Sequence, residues 1–136
     1  MPGGHTLLLV EDEEPNRALL RAVLKRSTDE RFQDVTLLEA PDLATARSIL
    51  SSQVVDLVLL DVRLPDGNGL TLINEERHHP WPDPRFVVLS ASVLPTERAA
   101  AIATGASEFL AKPYRPAELL GTIAEFLEPA SLDGGS

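Results

Sequence analysis

Acidic residues follow two of the apolar runs in this chain, where they could take part in cation or phosphate chemistry. Glu11 and Asp12 come directly after the run that ends at Val10, and Asp61 comes after the run Val54–Leu60. Carboxylates that share one crevice repel each other, which raises the pKa of at least one of them unless a cation is present. Mg²⁺ suits such a crevice, because it prefers oxygen ligands and commonly takes one or two carboxylates together with water and phosphate oxygens.

Two other polar residues follow apolar runs in the second half of the chain. Ser90 follows Phe86–Leu89, and Lys112 follows Phe109–Ala111. A lysine that faces the same crevice can pair with a carboxylate or with an incoming phosphoryl group. Each of these residues alone is readily explained by the polar loops that begin where strands end. The prediction of a site therefore depends on all of the polar residues lying together.

The elements that must position these residues alternate along the whole chain. Short apolar runs predict strands at Thr6–Val10, Val35–Leu38, Val54–Leu60, Phe86–Leu89 and Phe109–Ala111. The first run is continuous, as is typical of a strand buried on both faces, and Val54–Leu60 is broken only by Asp56. Helical spacing and capping residues predict helices at Pro15–Lys25, after Asp42, around Leu70–Ile73, at Pro95–Thr104 before Gly105, and at Pro116–Leu127. The chain therefore reads as five strand–helix units.

Strands joined by helices run parallel with right-handed crossovers. The prediction is an α/β fold with a single doubly wound, five-stranded parallel sheet and helices on both faces. In the flavodoxin-like strand order 2-1-3-4-5, the strands that end near the polar residues are neighbours, and ligands bind at that edge of such a sheet. The second strand would lie at the edge of the sheet, so Glu39 is predicted to be solvated.

Composition limits the classes of protein that this chain can belong to. The length of 136 residues suits one domain, and the absence of cysteine excludes disulfides and cysteine-ligated metal sites. A net charge of −9 argues against nonspecific nucleic-acid binding. No apolar run approaches membrane-spanning length and no signal stretch begins the chain. We expect a cytoplasmic protein that binds neither nucleic acid nor membrane, with a domain at 5–128 and a disordered C-terminal tail at 129–136.

Four segments, taken in order, resemble the motif set of the receiver domains of two-component response regulators. They are Leu8–Pro15, Asp61–Gly69, Val87–Ala91 and Phe109–Pro113. One such motif would be weak, but the resemblance covers nearly the whole chain at the expected spacing. It implies a receiver-type fold and a signalling domain that is not an enzyme, although it takes part in its own phosphorylation and dephosphorylation.

The resemblance also implies roles for the residues of the crevice. Asp61 would be the phosphorylated nucleophile, which attacks a phosphohistidine on a sensor histidine kinase or on a histidine phosphotransfer protein. Asp12, Asp61 and the backbone carbonyl of Arg63 would bind Mg²⁺, and Glu11 would act through a bound water. The family often has Asp where this chain has Glu11, a substitution that also occurs within its pattern. Lys112 would pair with the phosphoryl group, next to a cis peptide bond.

The same resemblance implies a switch made of Ser90 and Phe109. Ser90 would hydrogen-bond a phosphoryl oxygen and draw the following loop inward, and Phe109 would turn from exposed to buried. On periodicity alone, Phe109 is more commonly a plain core residue. The surface that reads the switch would be the fourth helix, fifth strand and fifth helix, about Pro95–Leu127, which would meet a downstream protein target or form a phosphorylation-dependent dimer.

Other classes stay open at this point. The chain could act alone, or it could be a receiver from a longer regulator or hybrid kinase. An Mg²⁺-dependent phosphohydrolase also uses an aspartate after a strand, but it generally needs a second aspartate where this chain has Arg63. A third class is a degenerate receiver, which binds partners without being phosphorylated. The presence of Asp12, Asp61, Ser90 and Lys112 together argues against that class. A flavin- or nucleotide-binding protein of flavodoxin type would need a glycine-rich loop after the first strand, which is missing.

Overall fold

Strands and helices alternate through the described residues, which in this computed structural model are 4–75, 83–91 and 94–127. The strands are β1 His5–Val10, β2 Val35–Ala40, β3 Leu57–Asp61, β4 Arg63–Leu64, β5 Gly67–Asn68, β6 Arg85–Ser90 and β7 Glu108–Ala111. The helices are α1 Glu14–Arg26, α2 Leu43–Ser52, α3 Leu70–Glu75, α4 Pro95–Thr104 and α5 Pro116–Leu127, and a 3₁₀ turn lies at Glu30–Phe32.

The central sheet has five strands in the order β2-β1-β3-β6-β7, and every pair in it is parallel. Since β6 and β7 are the fourth and fifth strands of this sheet, the order is the predicted 2-1-3-4-5. The short strands β4 and β5 form a separate antiparallel hairpin. The prediction of a doubly wound α/β fold is confirmed.

The core consists of two apolar clusters, one on each face of the sheet. Successive strand residues alternate between them: Leu8 and Leu60 belong to one cluster, Leu7 and Leu59 to the other. The first cluster includes buried residues of α2, α3 and α4, and the second includes buried residues of α1 and α5. Burial on both faces explains why the central strand β3 is almost entirely apolar, whereas the edge strand β2 also carries Thr36 and Glu39.

Two strand boundaries differ from the prediction. The strand β2 continues to Ala40, because Glu39 and Ala40 pair with Leu9 and Val10 of β1. The prediction that Glu39 is solvated is wrong, since its side chain is 22% exposed and pairs with Arg17 and Arg21. The strand β3 begins at Leu57 rather than Val54. Before it, the Asp56 N–H donates to the Thr6 carbonyl at 2.9 Å, and the Asp56 carboxylate accepts a hydrogen bond from the Thr6 N–H at 2.7 Å.

The hairpin β4–β5 is attached to the start of α2 through Asp66. Its carboxylate accepts hydrogen bonds from the N–H groups of Leu43 at 2.9 Å and Ala44 at 3.1 Å. The next N–H, of Thr45, donates to the Asp42 carboxylate, as predicted for a capping residue. The N–H groups that the start of α2 leaves without intrahelical partners are therefore satisfied by the adjacent Asp42 and by Asp66 from the hairpin.

Substituting Asp66 with alanine tests this attachment. The hydrogen bonds from Leu43 and Ala44 hold the pKa of Asp66 below its usual value. A carboxylate whose pKa is lower in the folded state stabilises the fold above its unfolded pKa, and this contribution is lost as pH falls through the folded pKa. We expect Asp66→Ala to lower the melting temperature by about 3 °C at neutral pH. Thermal unfolding followed from neutral pH into acid should show the difference from wild type shrinking; a pH-independent difference would contradict this role.

The predicted tail at 129–136 lies outside the described residues, and the domain boundaries 5–128 stay a prediction. In the described part of the chain, no helix is long and apolar enough to cross a membrane.

Candidate functional site

The carboxyl ends of four neighbouring strands meet at one cleft. Its volume is about 340 Å³, and it is lined by Glu11, Asp12, Glu13, Asn16, Asp61, Arg63, Ser90, Ala91 and Lys112. These elements, β1, β3, β6 and β7, are adjacent in the sheet. The structure therefore brings together every polar residue that the sequence placed in the crevice, and adds Glu13 and Asn16.

Three carboxylates lie within ligand distance of one another. Oxygens of Glu11, Asp12 and Asp61 are all within 4.8 Å of each other. Glu11 is 1% exposed and Asp61 is 7% exposed, whereas Asp12 is open to solvent. Buried carboxylates this close are costly without a compensating charge.

Lys112 supplies one such charge. Its Nζ donates to Glu11 Oε1 at 3.0 Å and to Asp61 Oδ2 at 3.1 Å. The backbone N–H of Lys112 donates to the Ser90 carbonyl at 2.7 Å, which joins the ends of β6 and β7. The peptide bond between Lys112 and Pro113 is cis, as the family resemblance implies.

The pKa directions show how one ammonium is divided between two carboxylates. Burial raises the pKa of Glu11, but hydrogen bonds from Lys112 and from the Glu13 N–H outweigh it, so the pKa ends below its usual value. Burial raises the pKa of Asp61, and here Lys112 does not fully offset burial and the nearby Glu11 charge. Burial lowers the pKa of Lys112, yet its two carboxylate partners raise it overall. Lys112 therefore holds the pKa of Glu11 below its usual value, whereas burial keeps the pKa of Asp61 above its usual value.

The loop after β1 is held at several points. The Glu11 N–H donates to the Ala40 carbonyl at 2.9 Å, and the Glu13 N–H donates to Glu11 Oε2 at 3.1 Å. Arg17 Nη1 donates to the Glu11 carbonyl oxygen at 2.7 Å. Both backbone polar groups of Glu11 are therefore occupied, and its buried carboxylate is satisfied by the Glu13 N–H and by Lys112.

The loop after β3 folds back closely over Asp61. The Gly69 N–H donates to the Val62 carbonyl at 2.7 Å, and the Arg63 N–H donates to Asp61 Oδ1 at 3.3 Å. A Cβ at Gly69 would lie 2.1 Å from the Asp61 carbonyl oxygen, so only glycine fits there. The side chain of Arg63 is exposed at the edge of the cleft.

The two predicted switch residues lie on adjacent strands. Ser90 ends β6 and is 4% exposed. Phe109, in β7, pairs in register with Val88, is 8% exposed and belongs to the cluster that includes α4. The structure thus has Phe109 in the buried position, and its role as a switch stays a prediction.

Sequence reasoning missed Arg17, Asp66 and the pairing of Glu39. The spacing of Glu14 and Arg17 was a usable signal, since charges three apart on a helix are neighbours. The contacts of Asp66 with α2 and of Glu39 with α1 depend on tertiary structure, and no local pattern indicates them. Gly69 ends the motif segment Asp61–Gly69, but the motif does not indicate its contact with the Asp61 backbone.

A parallel sheet of this order with an acidic cleft at its carboxyl edge defines the class of protein, a flavodoxin-like receiver fold. The family model of the response regulator receiver domain matches residues 7–124. The chain therefore belongs to the receiver domain family of response regulators, which are signalling domains.

Individual relatives agree with this assignment. The chain is similar to the phosphate regulon transcriptional regulatory protein PhoB of Escherichia coli (strain K12), with 36% identity over 118 residues, 86% of this chain and 49% of PhoB. It is also similar to the KDP operon transcriptional regulatory protein KdpE of the same organism, with 34% identity over 113 residues, 83% of this chain and 47% of KdpE. The chain spans about half the length of these curated relatives. Both relatives are named as transcriptional regulatory proteins. The expectation that the chain binds no nucleic acid concerns the 136 residues of this chain, not these longer relatives, and it stays a prediction.

A solved structure shows the same architecture with an ion. The receiver domain of the sensor histidine kinase PA1611 from Pseudomonas aeruginosa PAO1, with a magnesium ion coordinated in its active site cleft, has a TM-score of 0.75 at 26% identity. The match covers 91% of this chain and 98% of that one.

The donors in the cleft fit a hard divalent cation. The oxygens of Glu11, Asp12 and Asp61 form a compact set of the kind that Mg²⁺ prefers. Burial is the main cause of the raised pKa of Asp61, and the nearby Glu11 charge adds to it; a bound cation would oppose both effects. The exposed side of Asp12 leaves room for the waters that Mg²⁺ keeps.

Proposed function

We propose that this receiver domain accepts a phosphoryl group on Asp61 from a phosphohistidine of a sensor histidine kinase or a histidine phosphotransfer protein. The observation that carries the proposal is the position of Asp61, at the end of a buried strand and 3.1 Å from Lys112. A carboxylate oxygen of Asp61 would form a bond to phosphorus as the bond between phosphorus and the imidazole nitrogen breaks. The imidazole keeps that electron pair.

The other cleft residues orient the reaction. Asp12, Asp61 and the backbone carbonyl of Arg63 would hold Mg²⁺, with Glu11 acting through water; the bound ion would neutralise charge on the transferring group. Lys112 pairs with the phosphoryl oxygens as a point charge. The Ser90 hydroxyl donates to another phosphoryl oxygen, and the small side chain of Ala91 leaves the approach open.

The output of the proposed switch is a protein surface. The new contacts of Ser90 and Lys112 with the phosphoryl group would favour one of two conformations, the one in which Phe109 keeps the buried position that it has here. The surface made of α4, β7 and α5 would then bind a downstream protein target or a second phosphorylated copy. The domain would occupy about 5–128 and act in the cytoplasm, either alone or as part of a longer regulator or hybrid kinase.

Phosphorylation with a small donor tests the proposal. We expect incubation with acetyl phosphate and Mg²⁺, followed by intact mass measurement, to show one phosphoryl group on the wild type and none on Asp61→Asn. A matched control is Asp56→Asn, because Asp56 lies at the opposite end of β3 and contacts Thr6. This variant should be phosphorylated like the wild type.

The other outcomes distinguish the remaining classes. Catalytic turnover of a phosphomonoester would favour a phosphohydrolase over a receiver. A wild type that takes no phosphoryl group and binds no Mg²⁺ would indicate a degenerate receiver that binds partners without phosphorylation. Phosphorylation of Asp61→Asn at the wild-type level would show that another residue is the acceptor.

A further inference from the structure

The side chain of Arg17 connects three segments beside the acidic cleft. Its Nη1 donates to the Glu11 carbonyl at 2.7 Å and its Nη2 donates to Glu14 Oε1 at 2.8 Å. Its Nε lies 3.3 Å from Glu39 Oε1 on the edge strand β2. The side chain is 16% exposed. One guanidinium is therefore held by the loop after β1, by its own helix and by the neighbouring strand.

Arg21, one turn further along α1, shares two of these partners. It pairs with Glu14 and lies 3.3 Å from Glu39 Oε2. Its side chain is 40% exposed, and no hydrogen bond or ion pair joins it to Glu11 in the described part of the chain. Arg17 and Arg21 thus belong to the same ion-pair network, but only Arg17 reaches the backbone of the cleft.

The contact with the Glu11 carbonyl matters because of where that peptide lies. The carbonyl of Glu11 belongs to the peptide bond that leads into Asp12, so its direction governs where the Asp12 backbone and side chain begin. A charge-assisted hydrogen bond from a largely buried guanidinium is stronger and more directional than an exposed ion pair. Glu14 and Glu39 in turn prevent the guanidinium from rotating away.

We propose that Arg17 is a positioning residue for the cation site, which holds the Asp12 carboxylate at the correct distance from Asp61. This inference rests on the proposed function, because it assumes that the cleft binds Mg²⁺. Groups that orient metal ligands through hydrogen bonds commonly change metal affinity by roughly 10- to 100-fold when removed. The sequence indicates that Arg17 lies on α1, but only the structure shows which atom it contacts.

Calorimetric titration with Mg²⁺ tests the inference on four proteins: wild type, Arg17→Ala, Arg17→Lys and Arg21→Ala. We expect Arg17→Ala to weaken Mg²⁺ binding by roughly 10-fold. The Arg21→Ala control should stay close to wild type, since it disturbs the same carboxylates without touching Glu11. Arg17→Lys should lie between, because an ammonium can reach the carbonyl but cannot fork to three acceptors. Thermal unfolding of each protein establishes that it is folded at the titration temperature.

Each result has a distinct meaning. Wild-type Mg²⁺ affinity in Arg17→Ala would overturn the positioning role while leaving the proposed function intact. Equal losses in Arg17→Ala and Arg21→Ala would also overturn it, because the effect would then belong to the shared ion pairs. If Arg17→Ala does not fold, Arg17→Lys compared with Arg21→Lys carries the test, and equal affinities would overturn the role. A wild type that binds no Mg²⁺ would overturn the proposed function itself.

Discussion

Alanine at position 69 is expected to abolish phosphoryl acceptance and to lower the free energy of unfolding by about 3 kcal/mol. The new Cβ would lie 2.1 Å from the Asp61 carbonyl oxygen and 3.2 Å from a Leu60 side-chain carbon. The first of these contacts is with backbone, so no rotamer change relieves it. The chain must therefore move at Asp61 itself, which displaces the proposed nucleophile relative to Lys112 and to the carboxylates of Glu11 and Asp12.

Urea unfolding and phosphorylation by acetyl phosphate measure the two effects of Gly69→Ala. The matched control is Gly121→Ala, in α5, where a Cβ would meet nothing within 4 Å. Alanine is favoured over glycine inside a helix by up to about 1 kcal/mol, so this control should be as stable as the wild type or more so. A Gly69→Ala protein with a wild-type urea midpoint and phosphorylation rate would show that the loop relaxes without moving Asp61.

Replacing Lys112 with methionine is expected to destabilise the fold by about 3 kcal/mol when no divalent cation is present. The substitution keeps most of the apolar stem but leaves Glu11 and Asp61 without the ammonium that now lies 3.0 Å and 3.1 Å from them. The same carboxylates should then bind Mg²⁺ more tightly, because the competing positive charge is gone. Phosphoryl acceptance should nevertheless fall, since the group that pairs with the phosphoryl oxygens is lost.

Urea unfolding in EDTA and in excess Mg²⁺ separates these effects in Lys112→Met. Added Mg²⁺ should stabilise the variant more than the wild type, because a ligand stabilises the fold according to its affinity. The chain's other lysine offers the control: Lys25 is exposed in the last turn of α1, and Lys25→Met should respond to Mg²⁺ like the wild type. Weaker Mg²⁺ binding in Lys112→Met would mean that the lysine organises the cation site rather than competing with it.

The fold was predictable from the sequence where local signals and tertiary structure agree. The helices α4 and α5 begin and end as predicted, because a proline starts each helix and Gly105 follows α4 with a φ of 127°. The strand order was predictable because helices between strands require parallel pairing. The boundaries of β2 and β3 were not, since they depend on backbone pairing with β1, which includes Glu39 and Ala40 of β2 and begins at Leu57 of β3.

The residues that line the cleft were predictable for a related reason. Residues at the ends of neighbouring parallel strands must lie close together, so the strand pattern alone placed Glu11, Asp61, Ser90 and Lys112 at one edge. The pattern could not indicate that Lys112 donates to both Glu11 and Asp61. It also could not indicate which groups contact the loops after β1 and β3. Those features depend on distances of about 3 Å between atoms far apart in the chain, and Arg17 and Gly69 are the clearest examples.

The two-sided core has a consequence for how a signal could travel. The sheet separates the two apolar clusters of the core. Substitutions in different clusters that share no partner should therefore have additive effects on the free energy of unfolding. Phe109 packs in the compartment that contains Ala101 of α4, whereas Ile123 of α5 packs in the other compartment. The two helices of the proposed output surface, α4 and α5, therefore pack against different faces of the sheet. Repacking of Phe109 would act on α4 directly, and β7, whose next residue Leu110 packs against the cluster that includes α5, would connect it to α5.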